Sequence, residues 1–155
     1  MKSNDHNITA KAYHSVAVSY SKMSTPEKLF DREGYLLLRE CVSEGVNIEV
    51  MLYEWITFNI PGGKYTPDFF VIFSDGTVAL IEVKQESTSR SGKKYYAGQS
   101  YRDSRSKLRA TAELNPWFEF YMASYNSREG WKIDKIIPNR GIEYMDGTKN
   151  GRKTE

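Results

Sequence analysis

Apolar positions recur along this chain with two different periods, and the switches between them mark out its elements. Phe30, Leu37, Leu38 and Cys41 fall near one face at helical spacing. Ser24 or Thr25 can cap that helix, Pro26 suits its first position, and Gly45 stops it. Residues 48–60, IEVMLYEWITFNI, are β-branched and aromatic and predict a strand, broken by Pro61-Gly62-Gly63-Lys64. Two further strands are expected over 65–73, YTPDFFVIF, and 77–85, TVALIEVKQ, joined by Ser74-Asp75-Gly76. Residues 86–99, rich in Ser, Gly and Lys, predict a mobile loop. A second helix is expected over 100–114, ended by Asn115-Pro116, then a strand over 117–123 and a short one over 131–137. The order α-β-β-β-α-β, with an optional last strand, implies an α/β class protein: an open mixed sheet with helices on its faces.

Length and composition add limits. At 155 residues, 39% hydrophobic and 27% charged, the chain suits one domain, expected over 23–137, between an arm or tail at 1–22 and a tail at 138–155. No apolar run approaches the ~20 residues that a membrane-spanning helix needs. The first residues lack the apolar stretch of a secretory signal, and Cys41 is the single cysteine, so a reducing, cytoplasmic setting is expected. Cys41 is read as core. His6 and His14, in the tail, are assigned no role.

The net charge of +2 hides an asymmetry. From Lys84 to Arg109 there are eight basic residues (Lys84, Arg90, Lys93, Lys94, Arg102, Arg105, Lys107, Arg109) against Glu86 and Asp103, hence +6, leaving −4 elsewhere. A basic stripe on a near-neutral body suits a phosphate backbone; a solvated helix face is the plain alternative. On a helix, Arg102, Arg105 and Arg109 share one face. Tyr95, Tyr96 and Tyr101 could stack on unpaired bases or pack the loop onto the domain.

Charges also interrupt apolar strands: Asp68 between Pro67 and Phe69-Phe70, and Glu82 and Lys84 in ALIEVKQ. Such groups are rarely buried unless paired or metal-bound. Glu82 and Lys84, two apart, leave the same face of their strand. The connecting loop decides where Asp68 lies. A two-residue Asp75-Gly76 loop pairs Asp68 with Val83 and turns it away from Glu82. A three-residue Ser74-Asp75-Gly76 loop pairs Asp68 with Glu82, and it wants a left-handed residue where Gly76 stands. The three-residue loop is therefore expected, with the two carboxylates about 5 Å apart at Cβ. Carboxylates that close repel unless a cation lies between them, and oxygen ligands favour Mg²⁺ or Mn²⁺. The plain readings are a strand-start aspartate and an exposed Glu82–Lys84 ion pair.

Pro67-Asp68, thirteen residues, then Glu82-Val83-Lys84 resembles the signature of the PD-(D/E)XK nucleases. The fuller strings Tyr65-Thr66-Pro67-Asp68-Phe69 and Ile81-Glu82-Val83-Lys84 are similar to those of phage endonuclease I type Holliday-junction resolvases and of TnsA-like transposase endonucleases. Tyr53-Glu54-Trp55 and the basic helix before an aromatic strand extend the likeness over roughly residues 24–123, with 86–99 as an insertion. The resemblance implies a restriction-endonuclease-like core and Mg²⁺- or Mn²⁺-dependent phosphodiester hydrolysis. Asp68, Glu82 and the backbone carbonyl of Val83 would ligate the metal, and Lys84 would orient the water or stabilise the oxyanion. The family's helical acidic residue matches Glu27 best, with Glu33 as the fallback; Ser24-x-x-Glu27 also fits a capping box. Gln85 is a further candidate for contacting water or phosphate. Lys93, Lys94, Arg102, Arg105, Lys107 and Arg109 would hold the DNA backbone, and Arg105 or Lys107 could reach the active site.

The expected function is a structure-selective DNA endonuclease, a junction resolvase or debranching nuclease of phage type. It would act as a homodimer on branched DNA in a bacterial or phage-infected cell. Two alternatives stand beside it: a nuclease subunit of a transposase or restriction-like complex, working with a partner protein, and a non-catalytic nucleic-acid-binding module on the same fold. A small interaction protein with an accidental motif completes the set.

Overall fold

A computed structural model describes residues 20–96 and 100–138. The expectations for the N-terminal arm, both histidines, the tail beyond Pro138 and the Tyr101 side chain lie outside the described residues. The sheet is mixed, in the order β1 (Ile48–Tyr53), β4 (Phe69–Phe73), β5 (Val78–Thr88), β7 (Glu119–Asn126), β8 (Gly130–Lys135), with β6 (Lys94–Tyr96) paired to the far end of β5. A separate hairpin joins β2 (Phe58–Ile60) to β3 (Gly63–Tyr65). Among the described strands only β5 and β7 pair in parallel, and α2 (Ser100–Leu114) lies in the connection between them. No helix among the described residues is long and apolar enough to cross a membrane.

β5 is the axis of the molecule. Ala79 to Val83 are all buried, as expected of a central strand covered on both faces. Its odd positions, Ala79, Ile81 and Val83, join Phe69, Val71, Phe73, Tyr121 and Ala123 in a first core. Phe30 of α1 (Thr25–Arg32) and Leu38 of the 3-10 segment Gly34–Cys41 cover that face, with Cys41 packed half-buried beside them. On the even side Leu80 packs with Phe120, Met122, Leu108 and Ala112 of α2, and Phe58 and Tyr65 of the β2–β3 hairpin.

The β4–β5 turn has the expected form. Phe73 N–H donates to Thr77 O (2.9 Å) and Gly76 N–H to Phe73 O (2.9 Å). Gly76 takes the left-handed conformation (φ 85°), which a residue with a Cβ adopts only at a cost. The pairs Phe69↔Ile81, Phe70↔Leu80, Val71↔Ala79 and Ile72↔Val78 follow, and continued one residue beyond β4 this register puts Asp68 opposite Glu82.

Three expected elements differ. The single helix after Pro26 is two pieces, because the chain turns at Glu33 (φ −141°, ψ −32°) and passes Gly34 against aromatic rings. A Cβ on Gly34 would sit 2.7 Å from Phe30 Cδ2 and 2.9 Å from two Trp131 ring atoms. Gly34→Ala should therefore lower stability by about 1–3 kcal/mol, the usual cost of overpacking. A thermal melt checks this, and a melting temperature unchanged from wild type would contradict it. The strand expected over 48–60 breaks after Tyr53: Tyr53 packs on the first core while Ile56 and Phe58 pack on the second. The chain crosses between them through Glu54, which takes a left-handed conformation (φ 43°). The segment expected as a mobile loop is largely a hairpin. β5 runs on to Thr88, and Ser89 N–H donates to Lys93 O (2.8 Å) across the turn into β6. Its strands are held by buried polar pairs rather than by an apolar stripe, which the composition conceals. Strand ends shift elsewhere, to Phe69–Phe73 (Tyr65 belongs instead to β3), Glu119–Asn126 and Gly130–Lys135, whereas α2 spans the expected residues.

Candidate active site

The site forms where β4 begins beside the middle of β5. Odd residues of β5 direct their backbone groups toward β4, as the Phe73–Thr77 bond sets the alternation. At Val83 the partner position is Pro67, which has no N–H to give. The ladder therefore stops there, and Pro67 leaves the Val83 carbonyl without its ladder donor. The Val83 N–H donates instead to Asp68 Oδ2 (2.7 Å). Proline at this position thus removes one ladder donor, and the Val83 N–H is held by the aspartate side chain rather than by a strand partner.

Glu82 is 4% exposed and its two oxygens face different donors. Oε1 pairs with Lys84 Nζ at 2.8 Å, and Oε2 accepts the Tyr65 hydroxyl. Burial first, then the Glu82 charge, hold the Asp68 carboxyl well above the ordinary carboxylate range; Glu27 adds to the rise, while the Val83 bond and Lys84 oppose it. Burial and the same Glu82 charge push the Tyr65 phenol up as well, so it stays protonated and acts as a donor.

The four residues assigned catalytic roles gather to different degrees. Asp68, Glu82 and Lys84 converge. Glu27 lies at the start of α1, where Oε2 accepts both the Ser24 N–H (2.9 Å) and the Tyr53 hydroxyl (2.8 Å). It caps the helix, and its charge is felt by Asp68. Glu33, exposed at the end of α1, is the cap residue there. Gln85 departs from the group: it leaves β5 on the opposite face from Glu82 and Lys84, and its amide donates to the carbonyls of Glu86 and Tyr125 (both 3.2 Å).

A hard divalent cation fits this donor set. Mg²⁺ is commonly held by one or two carboxylates, waters and substrate phosphate rather than by an all-protein cage. Among the described residues no cluster of three or more His, Cys, Asp or Glu side chains gathers. The available protein ligands are thus Asp68, Glu82 and the Val83 carbonyl, and a cation there would relieve the repulsion that raises the Asp68 carboxyl.

The basic residues occupy two surfaces. Arg102, Arg105, Lys107 and Arg109 are exposed on α2, and Arg102, Arg105 and Arg109 line one stretch with Ser106, Ala110 and Glu113. Lys93 is exposed at the β5–β6 turn. Lys94 is ion-paired with Glu129 and lies 3.9 Å from Glu86 Oε1. Beyond Lys84 the same face of the sheet carries a buried network: Glu86 accepts from Asn126 Nδ2 (3.1 Å) and from the Tyr96 hydroxyl (3.1 Å), which also meets Ser124 Oγ (3.3 Å). Tyr96 is thereby engaged within the fold. Of the two readings of Tyr96 the structure shows packing onto the domain; the Glu86–Asn126 pair, Tyr65 and Tyr53 are polar partners that the sequence did not announce, because the contacts join separate elements.

No family model and no curated protein matches the chain. A comparison with solved structures gives the crystal structure of SSO0001, at 16% identity and a TM-score of 0.32, over 83% of this chain. The chain spans 59% of the length of that structure. A likeness of that degree carries no functional argument.

Proposed function

We propose that this chain is a metal-dependent endodeoxyribonuclease of the PD-(D/E)XK type that cuts branched DNA, as a junction resolvase does. The observation that carries the proposal is the register that sets Asp68 opposite Glu82, with Lys84 Nζ bonded to Glu82 Oε1 at 2.8 Å. Two carboxylates and an ammonium meeting where the start of β4 faces the middle of β5 are costly to the fold, and phosphodiester hydrolysis uses that combination.

Asp68, Glu82 and the Val83 carbonyl would hold Mg²⁺ or Mn²⁺. When bound, the ion would supply charge neutralisation at the phosphate and lower the pKa of its water. Lys84, tethered by Glu82, presents a compact cation where negative charge develops on the phosphoryl oxygens. Glu27 adds negative potential beside Asp68 from the first helix. The α2 arginines hold phosphates away from the cut, which sets position without reading sequence. A resolvase nicks two strands symmetrically, so the working unit is a homodimer.

The test is cleavage of a four-way junction, a linear duplex and single-stranded DNA, in Mg²⁺, Mn²⁺ or EDTA, with Glu82→Ala and Lys84→Ala as controls. Paired symmetric nicks on the junction, lost in EDTA and in both variants, are expected. Metal-dependent cutting that ignores DNA shape would retain the nuclease and remove the resolvase. Tight binding without cutting under any metal would favour a binding module or a nuclease subunit awaiting its partner.

A further inference from the structure

We infer that Tyr65 is a positioning residue of this site: its hydroxyl fixes the carboxylate of Glu82, and through it the Lys84 ammonium, for metal capture and hydrolysis. The inference rests on the hydrolase reading above. Glu82 is 4% exposed and needs a donor on each oxygen; Lys84 serves Oε1 and Tyr65 serves Oε2. The terminal torsion of a glutamate is soft, so rotamer preference alone does not fix the plane of the carboxylate. A donor on each side does. Tyr65 is suited to this because it is itself fixed. It is 6% exposed, pairs with Phe58 across the β2–β3 hairpin and packs in the second core. A hydroxyl contact between Thr57 and Thr66 (2.7 Å) ties the two strands of that hairpin just beyond this pair. The hairpin lies outside the main sheet, and the Tyr65 hydroxyl reaching from it to Glu82 is a contact that packing alone does not require.

Tyr65→Phe keeps the ring and removes the donor. Groups that orient a metal-binding carboxylate typically cost 10–100-fold in metal affinity or activity when lost. The full chain would be titrated with Mn²⁺ alone by calorimetry, and its melting temperature followed with and without Mn²⁺. Junction cleavage would be measured over a range of Mn²⁺ and DNA concentrations. In the variant we expect Mn²⁺ affinity about 10-fold or more weaker and kcat reduced to a similar degree, with KM for DNA within about two-fold of wild type. The effect on Mn²⁺ affinity should vanish in a Glu82→Gln background, the mark of two groups acting through one contact. A variant that melts lower but binds Mn²⁺ and turns over as wild type does would reduce Tyr65 to a packing residue and overturn the inference. A wild-type chain that neither binds Mn²⁺ nor cuts DNA would instead overturn the hydrolase reading, and the positioning role with it.

Discussion

Asp68→Asn should abolish metal-dependent cleavage and, in EDTA at neutral pH, yield a protein that melts higher than wild type. The Asp68 carboxyl is pushed up by burial, then by Glu82, with Glu27 adding to it, so ionising it in the metal-free fold is unfavourable. An amide removes that charge and can still accept the Val83 N–H. A gain of roughly 1 kcal/mol, or about 2–4 °C, is the scale expected when a functional site gives up such strain. The sign with pH follows from the direction of the shift. The folded protein holds the Asp68 proton more tightly than the unfolded chain does, so wild-type stability falls as pH rises above the ordinary value of 3.8, until the folded group has ionised. The variant lacks this loss. Its advantage should be small near pH 4 and grow toward neutrality. Saturating Mg²⁺ should reverse the order, because ligand at 100 times its dissociation constant stabilises the native state by about 2.7 kcal/mol and the variant has lost a ligand. Melts at several pH values with EDTA or Mg²⁺ measure this directly. A variant less stable than wild type in EDTA at pH 7 would show that Asp68 is held as a structural carboxylate.

What was legible in the chain and what was not divide along a physical line. The pairing of Asp68 with Glu82 could be worked out because it rests on local rules: a side-chain period of two, and a loop whose Gly76 sits where a left-handed residue is needed. The boundaries of α2 were legible for the same reason, with Asn115-Pro116 stopping it. Residues 48–60 were not, because β-branched and aromatic residues fill both β1 and β2, and only the change of core between Tyr53 and Phe58 separates them. The β5–β6 hairpin escaped because Glu86, Tyr96 and Asn126 hold it through buried polar bonds, and polar strands look like loops. Glu27 was half legible. Its capping role is written in Ser24-x-x-Glu27, while the Tyr53 hydroxyl that also binds it arrives from 26 residues away. Gln85 shows the limit of motif adjacency: its place beside Lys84 in sequence puts it on the other face of the strand.

Lys84→Met should reduce cleavage by at least about 10²-fold and also destabilise the fold, a pairing of effects opposite to that of Asp68→Asn. The catalytic loss is the scale seen when one preorganised donor to a developing oxyanion is removed. The structural loss comes from Glu82. With Lys84 gone, Oε1 stays buried beside Asp68 with no cation, while Tyr65 still serves Oε2. Removing one partner of a buried ion pair costs about 3–5 kcal/mol; the Lys84 side chain is 21% exposed, so the lower end is expected, about 3 kcal/mol and roughly 6–12 °C in melting temperature. The double variant Glu82→Gln/Lys84→Met separates the two effects. It should recover much of the stability, since no uncompensated charge remains, and none of the activity. If Lys84→Met instead melts within about 1 °C of wild type, the ion pair contributes little to the fold, as many exposed pairs do, and Lys84 is retained for its chemistry alone. If the double variant is as unstable as the single one, the cost lies in lost packing of the lysine stem rather than in the stranded carboxylate.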